Sequence, residues 1–390
     1  MFLKEKNASA FNELDVIGRL SKHYYQQLLR RAGITIGGNE PWDIQIRDAR
    51  FWRKVGLFGT LGFGEAYMDG WWDASRVDQL IYRLARLRIE QNVLNLPKLL
   101  CGLAAKFKNL QSITRSKLVA LQHYDLDNDL YRDMLGERMV YTCAFWKDSR
   151  DLNIAQEKKL ELVCDKLGIK EGMHVLDIGC GWGSFAEYAA QVRKVKVTGV
   201  TISREQGLIA RERCAELPVD IRIQDYRALE DQEKFDRIVS LGMFEHVGRK
   251  NYKSYMRYIR QHLNIDGLAL IQTIGLSYKT NGIDPWVAKY IFPNSEVPTI
   301  ARISTAIEGT LKLEDWHNFG ADYDKTLLAW QENFVESWEK YSSKHDQRFY
   351  RLWNYYLLMF AGLFRARNLD LWQLVLSPNG VDGGYSRPAS

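Results

Sequence analysis

The strongest constraint on this chain is a glycine-rich stretch near its middle, which reads VLDIGCGWG at residues 175–183. A short apolar run leads into Asp177, three glycines follow at alternate positions, and residues 184–188 begin a helical pattern. Glycine lets a backbone approach a ligand closely, and the first N–H groups of a helix attract anions. The stretch predicts a strand, a tight turn and a helix at a cofactor crevice, or else an ordinary strand-to-helix turn.

The sequence around this turn predicts an α/β domain. Strand-like and helical segments alternate along it, which is typical of a mostly parallel sheet with helices on both faces. We therefore expect an α/β domain with a mostly parallel, seven-stranded sheet. The predicted helices are 154–167, 184–191, 204–216 and 252–263, with two long helical stretches near the end, and the predicted strands are 174–178, 196–200, 220–224, 235–240, 269–273, 311–315 and 371–376.

The length of 390 residues suits two domains. Residues 1–105 have mainly helical patterns and predict a small N-terminal domain, followed by a linker at 106–122 and the α/β domain at 123–390.

One helix of the small domain is predicted at 75–93, where Ser75 and Asp78 resemble a capping box. It combines an apolar stripe with several arginines. Such a helix either lies on anionic lipid or packs its stripe inward with its arginines in solvent. The arginines are Arg76, Arg83, Arg86 and Arg88.

Charge and cysteine content restrict the class of protein. The net charge of +6 suits an anionic membrane surface or a nucleic acid. The five cysteines form no CxxC pair and no Cys/His ligand spacing, so we expect no zinc or iron–sulfur site and a reducing, cytoplasmic environment. Because no signal-peptide pattern opens the chain and no apolar run reaches membrane-spanning length, we expect a soluble or surface-bound protein.

The residues after the next strands indicate which cofactor the glycine turn binds. A dinucleotide site favours an acidic residue at the end of the second strand, but this chain has Thr201 there, with Gln206 one turn later. Asp225 follows the third strand and could accept a hydrogen bond from an exocyclic adenine amine, beside the ring of Tyr226. Together these turns resemble the S-adenosylmethionine site of Rossmann-like methyltransferases, in which the aminoacyl carboxylate sits against the glycine turn.

Longer motifs give a more specific resemblance, to the cyclopropane-fatty-acyl-phospholipid synthases, over about residues 20–376. The helical N-terminal region is similar to that of the bacterial phospholipid enzymes, whereas the related mycolic-acid cyclopropane synthases lack it. The motifs are MDGWW at 68–72, HYD at 123–125, YTCAFW at 141–146, VTISREQ at 200–206, GMFEHVG at 242–248, DWHNFGADY at 315–323 and FRAR at 364–367.

The resemblance implies methylene transfer from S-adenosylmethionine to the cis double bond of an unsaturated phospholipid acyl chain. It also implies a homodimer that is cytoplasmic, bound peripherally to the inner face of an anionic membrane, and without a nucleic-acid partner. The cofactor-binding residues that we predict are Tyr141, Thr142, Asp177, Gly179, Cys180, Gly181, Thr201, Gln206, Asp225 and Tyr226.

In this family the base is a bound bicarbonate ion, and the resemblance assigns its ligands to Cys143, Glu245, the backbone near Ile274, and Tyr323. Thiol, N–H and phenol groups can donate to the anion, and a carboxylate can accept its O–H. Gln272 occupies the position of a family histidine. Its amide can donate a hydrogen bond but cannot take up a proton at neutral pH, so we expect it to position the ion.

Three alternative functions remain open from the sequence. Quenching of the same carbocation without ring closure would give a methyl-branched acyl chain. A small amine could be the methyl acceptor, as in related N-methyltransferases. The chain could also be a non-catalytic lipid- or nucleic-acid-binding module, although the glycine turn, Thr201, Gln206 and Glu245 favour an enzyme.

Overall fold

A computed structural model describes residues 16–87, 128–230, 232–278 and 282–388. The predicted linker at 106–122, the motif at 123–125 and the end of the predicted helix at 75–93 lie outside these residues. The described residues divide into two compact units. The first unit contains 16–87, 282–291 and 338–368, and the second unit contains 128–230, 232–278, 292–337 and 369–388.

The α-helices of the described residues are numbered in chain order. They are α1 (Val16–Arg31), α2 (Arg50–Met68), α3 (Val77–Arg86), α4 (Asn128–Leu135), α5 (Leu152–Lys166), α6 (Ser184–Arg193), α7 (Arg204–Arg213), α8 (Tyr252–His262), α9 (Pro285–Tyr290), α10 (Ile300–Ile307), α11 (Ala321–Ser337) and α12 (Gln347–Arg365). No helix among them is both long enough and apolar enough to cross a bilayer.

The strands are numbered in the same way. They are β1 (Gln45–Ile46), β2 (Trp72–Asp73), β3 (His174–Ile178), β4 (Lys196–Thr201), β5 (Val219–Ile223), β6 (Phe235–Leu241), β7 (Leu263–Gly275), β8 (Lys312–Asn318) and β9 (Asp370–Ser377). β1 and β2 form a small antiparallel pair in the first unit.

The second unit is built on a seven-stranded sheet with the order β5-β4-β3-β6-β7-β9-β8. The strands from β5 to β7 pair in parallel, and β9 runs antiparallel to both of its neighbours. The predicted α/β class and mostly parallel seven-stranded sheet are confirmed. The strand order reverses beside β3, and ligands of open α/β sheets bind at such a switch point, outside the carboxyl ends of the strands.

Both faces of this sheet are buried, as near-continuous apolar strands predict. Leu176 and Ile178 of β3 pack on one face with residues of α8 and α10. Val175, which precedes Leu176 on the same strand, packs on the other face with residues of α5, α6 and α7. The central strand is therefore held rigidly from both sides, and its carboxyl end is a fixed platform for a site.

The first unit differs from the predicted continuous N-terminal domain, because two later segments also belong to it. Trp286 of α9 is fully buried, and its ring lies so close to Gly64 of α2 that an added Cβ would come within 2.5 Å of it. Arg351 of α12 donates to the backbone oxygen of Trp72 at 2.9 Å. Packing between residues distant in sequence therefore defines this unit.

The predicted capping box of the basic helix is wrong. α3 begins at Val77, and its N-cap residue, Arg76, makes no capping hydrogen bond through its side chain. Asp78 is instead fully buried and forms ion pairs with Arg76 at 2.8 Å and Arg365 at 2.7 Å. Arg83 lies 3.7 Å above the ring of Trp42. The helix buries its stripe, and these arginines have partners within the unit.

Candidate functional site

A cavity of about 210 Å³ lies at the carboxyl ends of β3, β4 and β6 in the second unit. The carboxyl ends of β4 and β6, on either side of β3, both contribute to its lining. All ten residues predicted to bind the cofactor line this one cavity, namely Tyr141, Thr142, Asp177, Gly179, Cys180, Gly181, Thr201, Gln206, Asp225 and Tyr226.

The glycine turn forms part of the cavity wall. Gly179 and Gly181 have φ angles of 81° and 55°, in the left-handed region that glycine adopts most readily. The N–H groups of Gly179 and Cys180 both donate to the backbone oxygen of Val200, at 2.9 and 3.0 Å. These bonds fasten the turn to β4, so the two amides already have backbone partners.

Two buried groups of opposite charge line the cavity beside this turn. Asp177, at the end of β3, is 2% exposed, and its Oδ2 has no hydrogen-bond partner among the described residues. Burial raises the pKa of its carboxyl to about 7, although the nearby Lys159 opposes this rise. Lys159 of α5 is 1% exposed, and its Nζ lies 3.1 Å from Oγ1 of Thr142.

On the opposite side of the turn, β4 and β5 contribute polar groups to the cavity. Thr201 and Gln206 are both 6% exposed, and the N–H of Gln206 donates to the N-cap Ser203 at the start of α7. Asp225 is less available than the sequence suggested, because Nε and Nη2 of Arg227 donate to its carboxylate at 2.8 and 2.6 Å. Any ligand at Asp225 therefore also meets a guanidinium group.

Three of the five residues predicted for catalysis meet where β6 and β7 end. Oε1 of Glu245 accepts a hydrogen bond from the N–H of Ile274 at 2.6 Å. Oε2 of Glu245 is buried and has no partner in the described part of the chain. Burial raises the pKa of this carboxyl to about 7, against the opposing effect of the Ile274 hydrogen bond. Glu245 therefore offers an unused acceptor inside the protein.

Gln272, two residues before Ile274, is fully buried between the neighbouring strands β6 and β9. Its Oε1 accepts from Nε2 of Gln373 on β9 at 2.9 Å. This bond leaves Nε2 of Gln272 and Oε1 of Gln373 without partners among the described residues. The amide of Gln272 is thus held in a fixed orientation with spare donor capacity.

The other two predicted catalytic residues are associated with α11. Sγ of Cys143 lies 3.1 Å from the oxygen of Ala144 and 3.9 Å from Oγ1 of Thr326. Burial raises the pKa of this thiol well above its ordinary value, so Cys143 is a neutral hydrogen-bond donor. Tyr323, one turn before Thr326, is 9% exposed and packs against Trp330.

The segment that carries Cys143 is fixed to α11 by its backbone. The N–H of Ala144 donates to Oγ1 of Thr326 at 3.1 Å, and the N–H of Trp146 donates to Asp322 at 2.9 Å. Thr326 also accepts from the indole of Trp146 at 2.9 Å. The motif at 141–146 therefore presents its first residues to the cavity and Cys143 to α11.

Several cavity residues were not predicted from the sequence. Lys159 occupies a buried position of α5, and no motif or apolar periodicity of this helix marks it in the sequence. Arg227 directly follows a predicted residue. Four more, Gly242, Met243, His246 and Val247, belong to the motif at 242–248, whose Glu245 is not part of the cavity lining.

Comparisons with known proteins agree with this geometry. The family model described as mycolic acid cyclopropane synthetase matches residues 111–374, more than half of the chain. The cyclopropane-fatty-acyl-phospholipid synthase of Escherichia coli (strain K12) is 48% identical over 359 residues, which cover 92% of this chain and 93% of the relative. The tuberculostearic acid methyltransferase UfaA1 of Mycobacterium tuberculosis is 30% identical over 398 residues, with 96% and 92% covered.

Among solved structures, the crystal structure of the mycolic acid cyclopropane synthase CmaA1, complexed with SAH and CTAB, superposes with a TM-score of 0.62. It is 26% identical, and the match covers 67% of this chain and 97% of that chain. The predicted resemblance and the Rossmann-like methyltransferase fold are thereby confirmed. The chain belongs to the mycolic acid cyclopropane synthetase family.

Proposed function

We propose that this protein transfers a methylene group from S-adenosylmethionine to the cis double bond of an unsaturated phospholipid acyl chain and so forms a cyclopropane ring. The observation that carries this proposal is the 48% identity, over nearly the full length of both chains, to the E. coli synthase that bears this activity in its name. The cavity at the switch point of the sheet, with its charged and hydroxyl groups, supports it.

The residues of the cavity fit S-adenosylmethionine, which supplies a methyl group on a positively charged sulfur when bound. The unpartnered carboxylate oxygen of Asp177 can accept from the α-ammonium group. Thr201 and Gln206 offer a hydroxyl and an amide to ribose hydroxyls, and the ring of Tyr226 offers a stacking face to adenine. Burial of these groups excludes water, which would otherwise trap a carbocation on the acyl chain.

A bicarbonate ion fits the groups around Glu245, and we propose that it binds there as the base for the proton that the transferred methyl must lose. Oε2 of Glu245 is a buried acceptor for an O–H, and Nε2 of Gln272 is a buried donor for an anionic oxygen. The resemblance also assigns the neutral thiol of Cys143 and the phenol of Tyr323 to this ion as hydrogen-bond donors. Gln272 cannot relay the proton, so its proposed role is to orient the ion.

Incubation with phospholipid vesicles and methyl-labelled S-adenosylmethionine tests the activity. We expect label in acyl chains that have lost their alkene and gained a cyclopropane ring, as shown by mass spectrometry and NMR of the released fatty acids. A labelled methyl branch would instead place the chain with activities such as that named for UfaA1. Label in a small amine, or binding without transfer, would support the other two alternatives and contradict the proposal.

We further propose that the protein is a cytoplasmic homodimer that reaches its substrate by binding the inner surface of an anionic membrane. The predicted basic helix does not support this contact, since its stripe is buried. α1 offers a better surface, because Val16 and Leu20 are 62% and 69% exposed on one face, with Ile17 and Tyr24 also exposed. Arg19 and Lys22 on the same helix supply positive charge.

Leu20→Asp is expected to weaken binding to phosphatidylglycerol vesicles by about tenfold, because the variant loses the transfer of one large apolar side chain into lipid. Ile265→Asp is the matched control, since Ile265 is 74% exposed and belongs to the second unit, whereas α1 belongs to the first. Vesicle flotation measures both variants, with phosphatidylcholine vesicles as the neutral reference. Equal losses for the two variants, or none for Leu20→Asp, would contradict this surface.

A further inference from the structure

The wall of the cavity contains a lysine whose charge has no counterion in the part of the chain that the structure describes. Lys159 is 1% exposed, and among the described residues its ammonium group makes one hydrogen bond, to Oγ1 of Thr142, and no ion pair. Burial of an ammonium without a compensating anion is costly, and natural proteins retain such groups mainly at functional sites. The position of Lys159 therefore points to an anionic ligand group.

Asp177 presents the complementary charge in the same cavity. Its Oδ2 is buried without a partner in the described ranges of the chain, and Asp177 forms no ion pair with Lys159. Each group still affects the other's pKa, which shows that they are close. Beside the glycine turn, the cavity thus offers a positive and a negative group that are not paired with each other, and this arrangement matches a ligand with a zwitterionic end.

We propose that Lys159 binds the α-carboxylate of S-adenosylmethionine while Asp177 binds its α-ammonium group, an inference that rests on the proposed function. The carboxylate is the one negative group of this ligand, and Lys159 would repel the sulfonium and the ammonium. Thr142 lies within hydrogen-bond distance of Lys159. The Thr142 hydroxyl and the Lys159 ammonium can therefore donate together to the two carboxylate oxygens.

The glycine turn is a weaker candidate for holding this carboxylate, although the resemblance to methyltransferases suggested it. The N–H groups of Gly179 and Cys180 already donate to the oxygen of Val200. Lys159, by contrast, has donors to spare. Burial also lowers the pKa of Lys159 to about 8, and a bound carboxylate would favour the charged form again.

The test compares two ligands that differ only in the group in question. Isothermal titration calorimetry measures the affinity of the full chain and of Lys159→Met for S-adenosylmethionine and for decarboxylated S-adenosylmethionine. We expect Lys159→Met to bind S-adenosylmethionine about 30-fold more weakly and the decarboxylated ligand within about threefold of the unmodified protein. Lys158→Met is the matched control, because Lys158 is half-buried on the same helix outside the cavity and donates to the backbone oxygens of Lys147 and Asp148.

Each outcome of this experiment is decisive. The role of Lys159 would be overturned if Lys159→Met kept its affinity for S-adenosylmethionine, or if it lost affinity equally for both ligands. Either result would still be compatible with S-adenosylmethionine as the methyl donor. If the unmodified protein bound neither ligand, the proposed function itself would fail. Binding of the decarboxylated ligand by Lys159→Met shows that the variant is folded, and thermal unfolding is expected to show no loss of stability, since a buried charge is removed.

Discussion

Replacing Glu245 by glutamine is expected to lower kcat by about 100-fold or more, the usual scale for a lost acid–base contribution. Oε1 of the amide can still accept from the N–H of Ile274, so the local fold is retained. The second oxygen, which has no partner in the described residues, becomes an NH₂ group that donates and cannot accept the O–H of bicarbonate. Cyclopropane formation at saturating S-adenosylmethionine measures this effect.

Two comparisons identify the cause of the lost rate. The affinity of Glu245→Gln for S-adenosylmethionine should stay within about twofold of that of the unmodified protein, because Glu245 does not line the cavity. Added bicarbonate should restore part of the rate if the variant binds the ion weakly. Glu296→Gln is the control, since the Glu296 carboxylate is already paired with Arg302 at 2.7 Å and should matter for stability instead. Equal rates for Glu245→Gln and the unmodified protein would remove Glu245 from the mechanism.

The same substitution is expected to stabilise the fold. The pKa of Glu245 is raised to about 7 in the folded state from an ordinary value of 4.5, so the folded state holds a proton that the unfolded state has released. The free energy of unfolding of the unmodified protein therefore falls as pH rises between these values. The stability of Glu245→Gln does not fall in this way. Its free energy of unfolding should therefore exceed that of the unmodified protein by about 2 kcal/mol more at pH 8 than at pH 5, as urea unfolding would show.

Much of the second unit could be predicted because its signals are local. Strand β3 begins and ends where the pattern placed it, and the glycine turn and helix α6 follow directly. Buried parallel strands are short, apolar and separated by turn residues, so each can be recognised without knowledge of its neighbours. The ten predicted cofactor residues meet because the carboxyl ends of parallel strands share one edge of the sheet.

The first unit was harder to predict because its helices depend on distant partners. The sequence of α2 contains four glycines, each of which disfavours a helix by about 1 kcal/mol, and Gly59 interrupts it with a non-helical φ of 54°. Position 64 must be glycine because a side chain there would clash with the ring of Trp286, which is more than two hundred residues away in sequence. Asp78 similarly forms an ion pair with Arg365 and does not cap a helix. Local patterns do not contain these long-range contacts.

The groups that we propose for catalysis show a third situation, in which the resemblance identified residues that no local pattern would select. Cys143 is chemically an ordinary small buried residue, and Glu245 is distinguished only by its unpartnered oxygen in the folded state. Lys159 lies in no motif, and what distinguishes it is burial without a counterion among the residues that the structure describes. Chemistry of this kind depends on desolvation, which becomes visible only once the chain has folded.

Gly181→Ala is expected to weaken binding of S-adenosylmethionine by about 100-fold, the upper range for one methyl group forced into a packed site. Gly181 has a φ of 55°, and a Cβ added there would meet no atom within 4 Å. That open space belongs to the cavity, which Gly181 lines. The methyl group would therefore fit the protein and occupy the volume of the ligand.

Gly168→Ala separates this effect from backbone strain. Gly168 has a φ of 54° and equally open surroundings, but it is exposed and lies outside the cavity. Both variants place alanine in the left-handed region at a cost of about 1 kcal/mol, so both should lose similar stability in thermal unfolding. Calorimetric titration should show weaker binding for Gly181→Ala alone. If both variants bind the ligand equally, the alternate glycines serve only to form the turn, and the cavity is not where the aminoacyl end of the methyl donor binds.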